Sequence, residues 1–380
     1  MTDGASEPPR RRRPRYAGTH PRAFSEKYKE HDPARFPEER AKVLASGRTP
    51  AGSHVAVLVA EVLAALAPGP GDTAVDATLG FGGHATEILR RVLPGGRLLA
   101  LDVDPIELPK ARARLKALAE SLGDAGAVRC VRRNCAGLRR LLEAEGLARG
   151  ADVILADLGA SSMQLDDPAR GFSWKHDVPL DLRMNPERGQ PAGALLRKMK
   201  EKEIEDFLRR YGDEPEAARI AAALRATIDG LSAARAPHDA AEPSGGSDSL
   251  HLLGNLLRTS DVTRAVELAY KGKSSHHASE AKKSSLQRTF QAIRILVNDE
   301  LTALESFLRD LPHCLAPGGR VAILTFHSGE DRLVKKAFAA GRADGAYTEV
   351  SREVVRASAE ERRANPRSAP AKLRRAVRAR

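Results

Sequence analysis

Residues 76–85 read DATLGFGGHA, Asp76 to Ala85, and the fold turns on what this glycine-rich stretch joins. Upstream, Thr73, Ala74 and Val75 make a short apolar run suited to a buried strand. Downstream, Ala85, Ile88, Leu89, Val92 and Leu93 recur at the three-and-four spacing of one helix face. The stretch is therefore a turn between a strand and a helix. In an open α/β sheet such turns lie at the carboxyl edge, where ligands bind. Gly80, Gly82 and Ala85 also fit the G-x-G-x-x-G/A spacing that brings backbone close to a nucleotide pyrophosphate. That spacing alone leaves a nicotinamide-dependent oxidoreductase open.

The scheme repeats along the chain. GGRLLALDVDP gives a strand from Leu98 to Leu101 closed by Asp102, 19 positions after Gly83, where nucleotide-binding units place the acid that takes ribose hydroxyls. ADVILADLGASS gives a strand from Val153 to Ala156 closed by Asp157, and GGRVAILTFHS gives one closed by Phe326 and His327. The last two strands are separated by about 160 residues, far more than one crossover helix needs. ALLRKMKEKEIEDFLRRYG and EAARIAAALRATIDGL read as inserted helices, and a single amphipathic helix from Thr289 to Leu311 carries the chain back to the sheet. The expected organisation is a basic flexible arm over 1–50, a first catalytic part over 51–182 and an inserted helical substrate domain over 183–285. A linker falls near 236–249, and a second catalytic part over 286–380 ends in a basic surface tail.

The 380 residues are 42% hydrophobic but only 4% aromatic, so an aliphatic, helix-rich α/β core is expected. The formal net charge of +12 sits at the ends. Residues 1–50 hold 12 Lys/Arg against 7 Asp/Glu, and residues 351–380 hold 10 against 3, which suits contact with a polyanion. Cys130, Cys135 and Cys314 form no C-x-x-C pair, pointing to a reducing, cytoplasmic setting and no metal site. HVAVLVAEVLAALA, the longest apolar run, is too short for a membrane span.

Carboxylates separate the two cofactor readings. Asp76, Asp102, Asp104 and Asp157 fall at or beside strand ends on one edge. Each would oppose a pyrophosphate by something on the order of a few kcal/mol in partly dry protein. The same acids favour S-adenosylmethionine, whose sulfonium and amine are cationic.

Seven blocks carry a family resemblance: HVAVLVAEVLAAL, VDATLGFGGHA, LALDVDP, ADLGASSMQLDDPARGFSWKHDVPLDLRMNP, RTFQAIRILVNDEL, LAPGGRVAILTFHSGEDRLVKKAF and ANPRSAPAKLRRA. In this order, from residue 54 to about 376, the chain resembles the RsmH (MraW) family. That resemblance implies a class I S-adenosylmethionine-dependent methyltransferase, a Rossmann-like α/β sheet with an inserted helical domain. The implied activity is methylation of the exocyclic N4 of a decoding-centre cytidine in small-subunit (16S) rRNA. The implied cofactor contacts are Gly82, Gly83, His84, Asp102, Asp157 and Gln164, with Cys135 where the family places an aromatic beside adenine. Met163 and Gly329 also depart from the family pattern, and a non-catalytic RNA-binding relative is the second alternative.

For chemistry, Asp157 and His327 are the candidate proton acceptors. Ser161, Ser162 and Asp166 could meet the base edge. GFSWKHDVPLDLRM interleaves Phe172 and Trp174 with Lys175, His176 and Arg183, and aromatic faces beside cations suit a flipped base and its phosphates. Trp174, Lys175 and Arg183 are the expected clamp. The expected partner is small-subunit rRNA, with no membrane, and a homodimer is compatible with the sequence.

Overall fold

A computed structural model describes residues 56–233, 256–272 and 276–380. The expected N-terminal arm and the linker near 236–249 lie outside the described residues. The described residues all belong to one compact unit.

Seven strands form one sheet in the order β3-β2-β1-β4-β5-β7-β6. They are β1 (Thr73–Asp76), β2 (Arg97–Asp102), β3 (Val128–Arg132), β4 (Ala151–Asp157), β5 (Leu315–Thr325), β6 (Tyr347–Val350) and β7 (Lys372–Arg378). The first five are parallel to one another, and β7 runs antiparallel to both β5 and β6. Chain order reverses at β1, which is flanked by β2 and β4. The crevice at that switch point receives the DATLGFGGHA turn.

Strand alternation builds two apolar faces. Ala74, Leu98, Ala100, Val153, Leu155, Ala322 and Leu324 point to one side. There they pack under α1 (Val59–Leu66), α2 (Gly83–Val92) and α3 (Leu108–Ser121). Their neighbours Val75, Leu99, Leu101, Ile154, Ala156, Val321 and Ile323 point to the other side. That face meets α4 (Leu138–Ala144), α11 (Glu300–Cys314) and α12 (Ser328–Ala343). Because both faces are covered, the parallel strands read as nearly continuous apolar runs.

Between β4 and β5 come α5 (Ser162–Asp166), α6 (Ala192–Lys198), α7 (Glu201–Gly212), α8 (Ala217–Ala233), α9 (Thr259–Ala269) and α10 (His276–Asn298). A separate apolar cluster unites α6 to α10, from Leu180 and Leu182 through Phe207, Leu224 and Val266 to Phe290 and Ile293. The helical core thus reaches past the expected 183–285 at both ends.

Two expectations are corrected. The helix expected over Thr289–Leu311 is two helices, because Asp299 adopts a left-handed conformation (φ 50°) between α10 and α11. Asn298, at the break, donates through Nδ2 to the Leu182 carbonyl (2.8 Å) and accepts at Oδ1 from the Met184 amide (2.7 Å). A long-range contact thus sits where local periodicity shows a continuous apolar face. The basic tail is not a surface tail either: it is β7, inserted between β5 and β6. Leu373 and Ala376 are buried, and the buried Arg374 pairs with Asp331 at 2.7 Å. Lys372 also meets Asp331, Arg375 meets Glu349 and Arg367 meets Asp166, so part of the terminal charge is paired within the chain, while Arg352, Arg356, Arg362 and Arg363 stay exposed. Alternation was obscured because cations occupy positions whose partners lie far away in sequence.

Candidate active site

The turn after β1 needs conformations only glycine takes without strain. Gly80 has φ +50° and Gly82 φ +87°, and Gly82 caps the N-terminus of α2. Arg114 pins the turn from outside, donating to the Phe81 carbonyl with its guanidinium 3.4 Å from the Phe81 ring centroid. The Gly80 amide donates to Asp102 Oδ2 at 2.7 Å, and the Asp104 amide donates to Asp102 Oδ1 at 2.8 Å. Asp102 is thereby fixed at the end of β2 with lone pairs left for further donors, as a ribose diol requires.

Asp76 and Asp157 end β1 and β4 beside this turn. Burial pushes the Asp76 carboxyl up to about 7, and pushes Asp102 to about 6. Burial, then the charge of Glu330, pushes Asp157 to about 7. About a quarter of the Asp157 side chain (27%) faces solvent, yet its Oδ1 is buried and has no hydrogen-bond partner among the described residues. His84 lies against it: Nε2 bonds the Val57 carbonyl at 2.9 Å, and Nδ1 is 3.6 Å from Asp157 Oδ2. A carbonyl can only accept, so Nε2 carries the hydrogen. Burial lowers the His84 pKa, which leaves the ring neutral with the Nδ1 lone pair facing the acid.

One buried carboxyl, Asp76, and two half-buried ones, Asp102 and Asp157, therefore converge on a glycine turn, and none of the three is paired with a lysine or arginine among the described residues. Such a slot fits a cationic group and disfavours a phosphate bridge. Asp104, expected to add to this field, does not: its Oδ2 accepts from Arg170 at 2.9 Å and from Gln164 Nε2 at 2.9 Å. Gln164 is held at both ends of its side-chain amide, since its Oε1 also accepts from the Ser161 amide while the Ser161 hydroxyl accepts from the Gln164 backbone amide. This reciprocal box starts α5. The same box occupies Ser161, and Ser162 is the first residue of α5, so both stand directly after the Asp157 turn.

Other candidates are held by partners of their own. His327 caps α12, its Nδ1 accepting from the Glu330 amide at 3.4 Å, while its Nε2 lies 3.1 Å from Glu330 Oε1 with the hydrogen off the line between them. Its side chain is only 8% exposed, so its geometry is that of a cap rather than of a group open to substrate. Cys135 follows β3 and leans on the apolar cluster under α4 and α11, with burial pushing its thiol up to about 11. Trp174 packs against the helical cluster, its ring centroid 5.7 Å from that of Phe290, and Lys175 and His176 beside it are exposed. Phe172 is core. Arg183 forms a fork with Asp181, both bonds 2.7 Å, and Asp166 is held by Arg367.

Sequence reasoning missed two arginines. Arg170 joins Asp104 to the carbonyls of Arg183 and Met184. Arg294, on α10, makes a bidentate pair with Glu300 and lies against Gly159, where a β-carbon would sit 3.7 Å from its guanidinium. A lone arginine on the apolar face of α10 was the available signal.

Strand order, glycine turn and acid edge together define a class I S-adenosylmethionine-dependent methyltransferase. The model of the MraW methylase family matches residues 51–238 and 253–379. The chain is 44% identical over 374 residues to ribosomal RNA small subunit methyltransferase H 1 of Lachnoclostridium phytofermentans, covering 98% of this chain and 94% of that protein. It is 42% identical to ribosomal RNA small subunit methyltransferase H 2 of Alkaliphilus metalliredigens, covering 98% and 99%. The homologue H 1 of Agathobacter rectalis is 38% identical, covering 99% of each. The chain belongs to the MraW methylase family, and the oxidoreductase alternative falls away.

Proposed function

We propose that this enzyme transfers a methyl group from S-adenosylmethionine to the exocyclic N4 of a decoding-centre cytidine in small-subunit rRNA. The names of its relatives support the substrate, and the buried, unpartnered Asp157 Oδ1 beside the glycine turn carries the chemistry. Bound S-adenosylmethionine supplies an electrophilic methyl on a sulfonium centre.

Gly82 and Gly83 let backbone approach the cofactor, and Asp102 accepts its ribose hydroxyls. The cytosine amine is a weak nucleophile because its lone pair is delocalised into the ring. Positioning is therefore the main task, and orientation can supply up to roughly 7–11 kcal/mol. Asp157 accepts a hydrogen bond from the amine, localises its lone pair and takes the proton once the N–C bond has formed. With a pKa of about 7, Asp157 is matched to that role near neutral pH. The neutral Nδ1 of His84, 3.6 Å from Oδ2, steadies the protonated carboxyl. Ser161 and Ser162 meet the base edge, while Trp174, with exposed Lys175, presents the RNA from the helical side.

No described helix is long and apolar enough to cross a membrane. We place the reaction in the cytoplasm, on small subunits during assembly. Labelled cofactor incubated with unmodified small subunits, followed by nucleotide mapping, tests the reading. Label on the N4 of one cytidine is expected; label on another nucleotide, or none, overturns it.

A further inference from the structure

We infer that Arg170 is a positioning residue that couples cofactor occupancy to presentation of the RNA. This rests on the RNA substrate proposed above. Arg170 lies just after α5 and is almost wholly buried, its side chain 8% exposed and that of its partner Asp104 1%. One guanidinium nitrogen donates to Asp104 Oδ2 at 2.9 Å, and the other donates to the carbonyls of Arg183 (3.1 Å) and Met184 (2.9 Å).

Those bonds complete a continuous chain. At one end the Asp104 amide holds Asp102 Oδ1, so the ribose acid and the acid that Arg170 grips share a single turn. At the other end the segment at 182–184 is tied to Asn298 by the Leu182 carbonyl and the Met184 amide, at the terminus of α10. α10 also carries Phe290, the partner of Trp174, and Arg294, which lies against Gly159 after Asp157. A second tie, Arg132 of β3 to Glu187 at 2.5 Å, fastens the following loop to the same sheet edge.

Movement of the β2 turn when Asp102 takes up a ribose is thus passed to the segment and helix that face the substrate. Only an arginine spans the three acceptors. A lysine keeps the charge beside Asp104 but has no planar fork to hold two carbonyls as well. A merely structural salt bridge would couple nothing. Replacing Arg170 would then change stability and binding together.

The test measures binding of unmodified small subunits with and without saturating S-adenosylhomocysteine. The intact protein is expected to bind subunits roughly fivefold tighter, or more, with the compound present. In Arg170→Lys, with thermal unfolding little changed, the effect should fall to within about twofold of none. Should that variant fold poorly, Asp104→Asn/Arg170→Met removes both charges, leaves no lone buried carboxylate, and should show the same loss. Persistence of the full effect in folded variants, or its absence in the intact protein, overturns the inference. An intact protein that neither binds nor methylates subunits would instead sink the substrate reading; one that methylates them while its folded variants stay coupled sinks this inference alone.

Discussion

Asp157→Asn should cost activity and yet stabilise the protein in a pH-dependent way. The Asp157 carboxyl is raised from 3.8 to about 7 in the folded protein, first by burial and then by Glu330. A raised acid binds its proton more tightly folded than unfolded, so ionisation opposes folding. The penalty is absent below the unfolded value, grows as pH rises and is complete above about 7. At 1.36 kcal/mol per pH unit it amounts to roughly 4 kcal/mol at pH 8 and roughly 1–2 kcal/mol at pH 5. Solvent reaches 27% of the side chain, and discounting for its screening leaves a difference of about 2 kcal/mol between the two pH values. Asparagine has the same shape and does not titrate. Any fixed cost of its amide is common to both pH values and cancels. Urea unfolding of parent and variant at pH 5 and pH 8 should therefore show the variant gaining about 2 kcal/mol on the parent as pH rises. Methyl transfer should meanwhile fall by roughly 10²–10⁴-fold, the ordinary contribution of a positioned base. A stability difference that is the same at both pH values would refute the claim that Asp157 is buried as an uncompensated acid.

Asp102→Ala should abolish S-adenosylhomocysteine binding by calorimetry, and it should also loosen the turn, because the Gly80 and Asp104 amides lose their acceptor. Gly82→Ala forces a β-carbon into φ +87°, so a loss of about 1–2 kcal/mol in unfolding free energy, with weakened cofactor binding, is expected. Trp174→Ala should leave cofactor affinity intact but raise the KM for small subunits, by removing the ring that packs at a tilt against Phe290; equal loss of both would place Trp174 in the cofactor site. Lys175→Ala should weaken subunit binding at low salt and reduce the slope of log affinity against log salt by about one, if that exposed lysine meets a phosphate.

The sequence by itself determined four parallel strands of the sheet, the glycine turn, the acids at strand ends and the presence of an insertion. Each of these is written in local terms: a run of alternating or continuous apolar residues, a glycine where the backbone must turn left-handed, an aspartate where a strand stops. Gly82, Asp102 and Asp157 could be singled out because position within a strand–turn–helix unit fixes which edge they occupy. Tertiary structure alone decided which charged groups are spent inside the protein. Asp104 looked like Asp102 until Arg170, 66 residues away, was seen to neutralise it. His327 looked like a free base until Glu330 was seen to hold it as a cap. The basic end looked like an RNA-facing tail until Asp331 and Glu349 were seen to meet it in the sheet. The physical reason is the same in each case. Backbone conformation follows from near neighbours in the chain, but the charge a site presents depends on partners that only folding brings within hydrogen-bond reach.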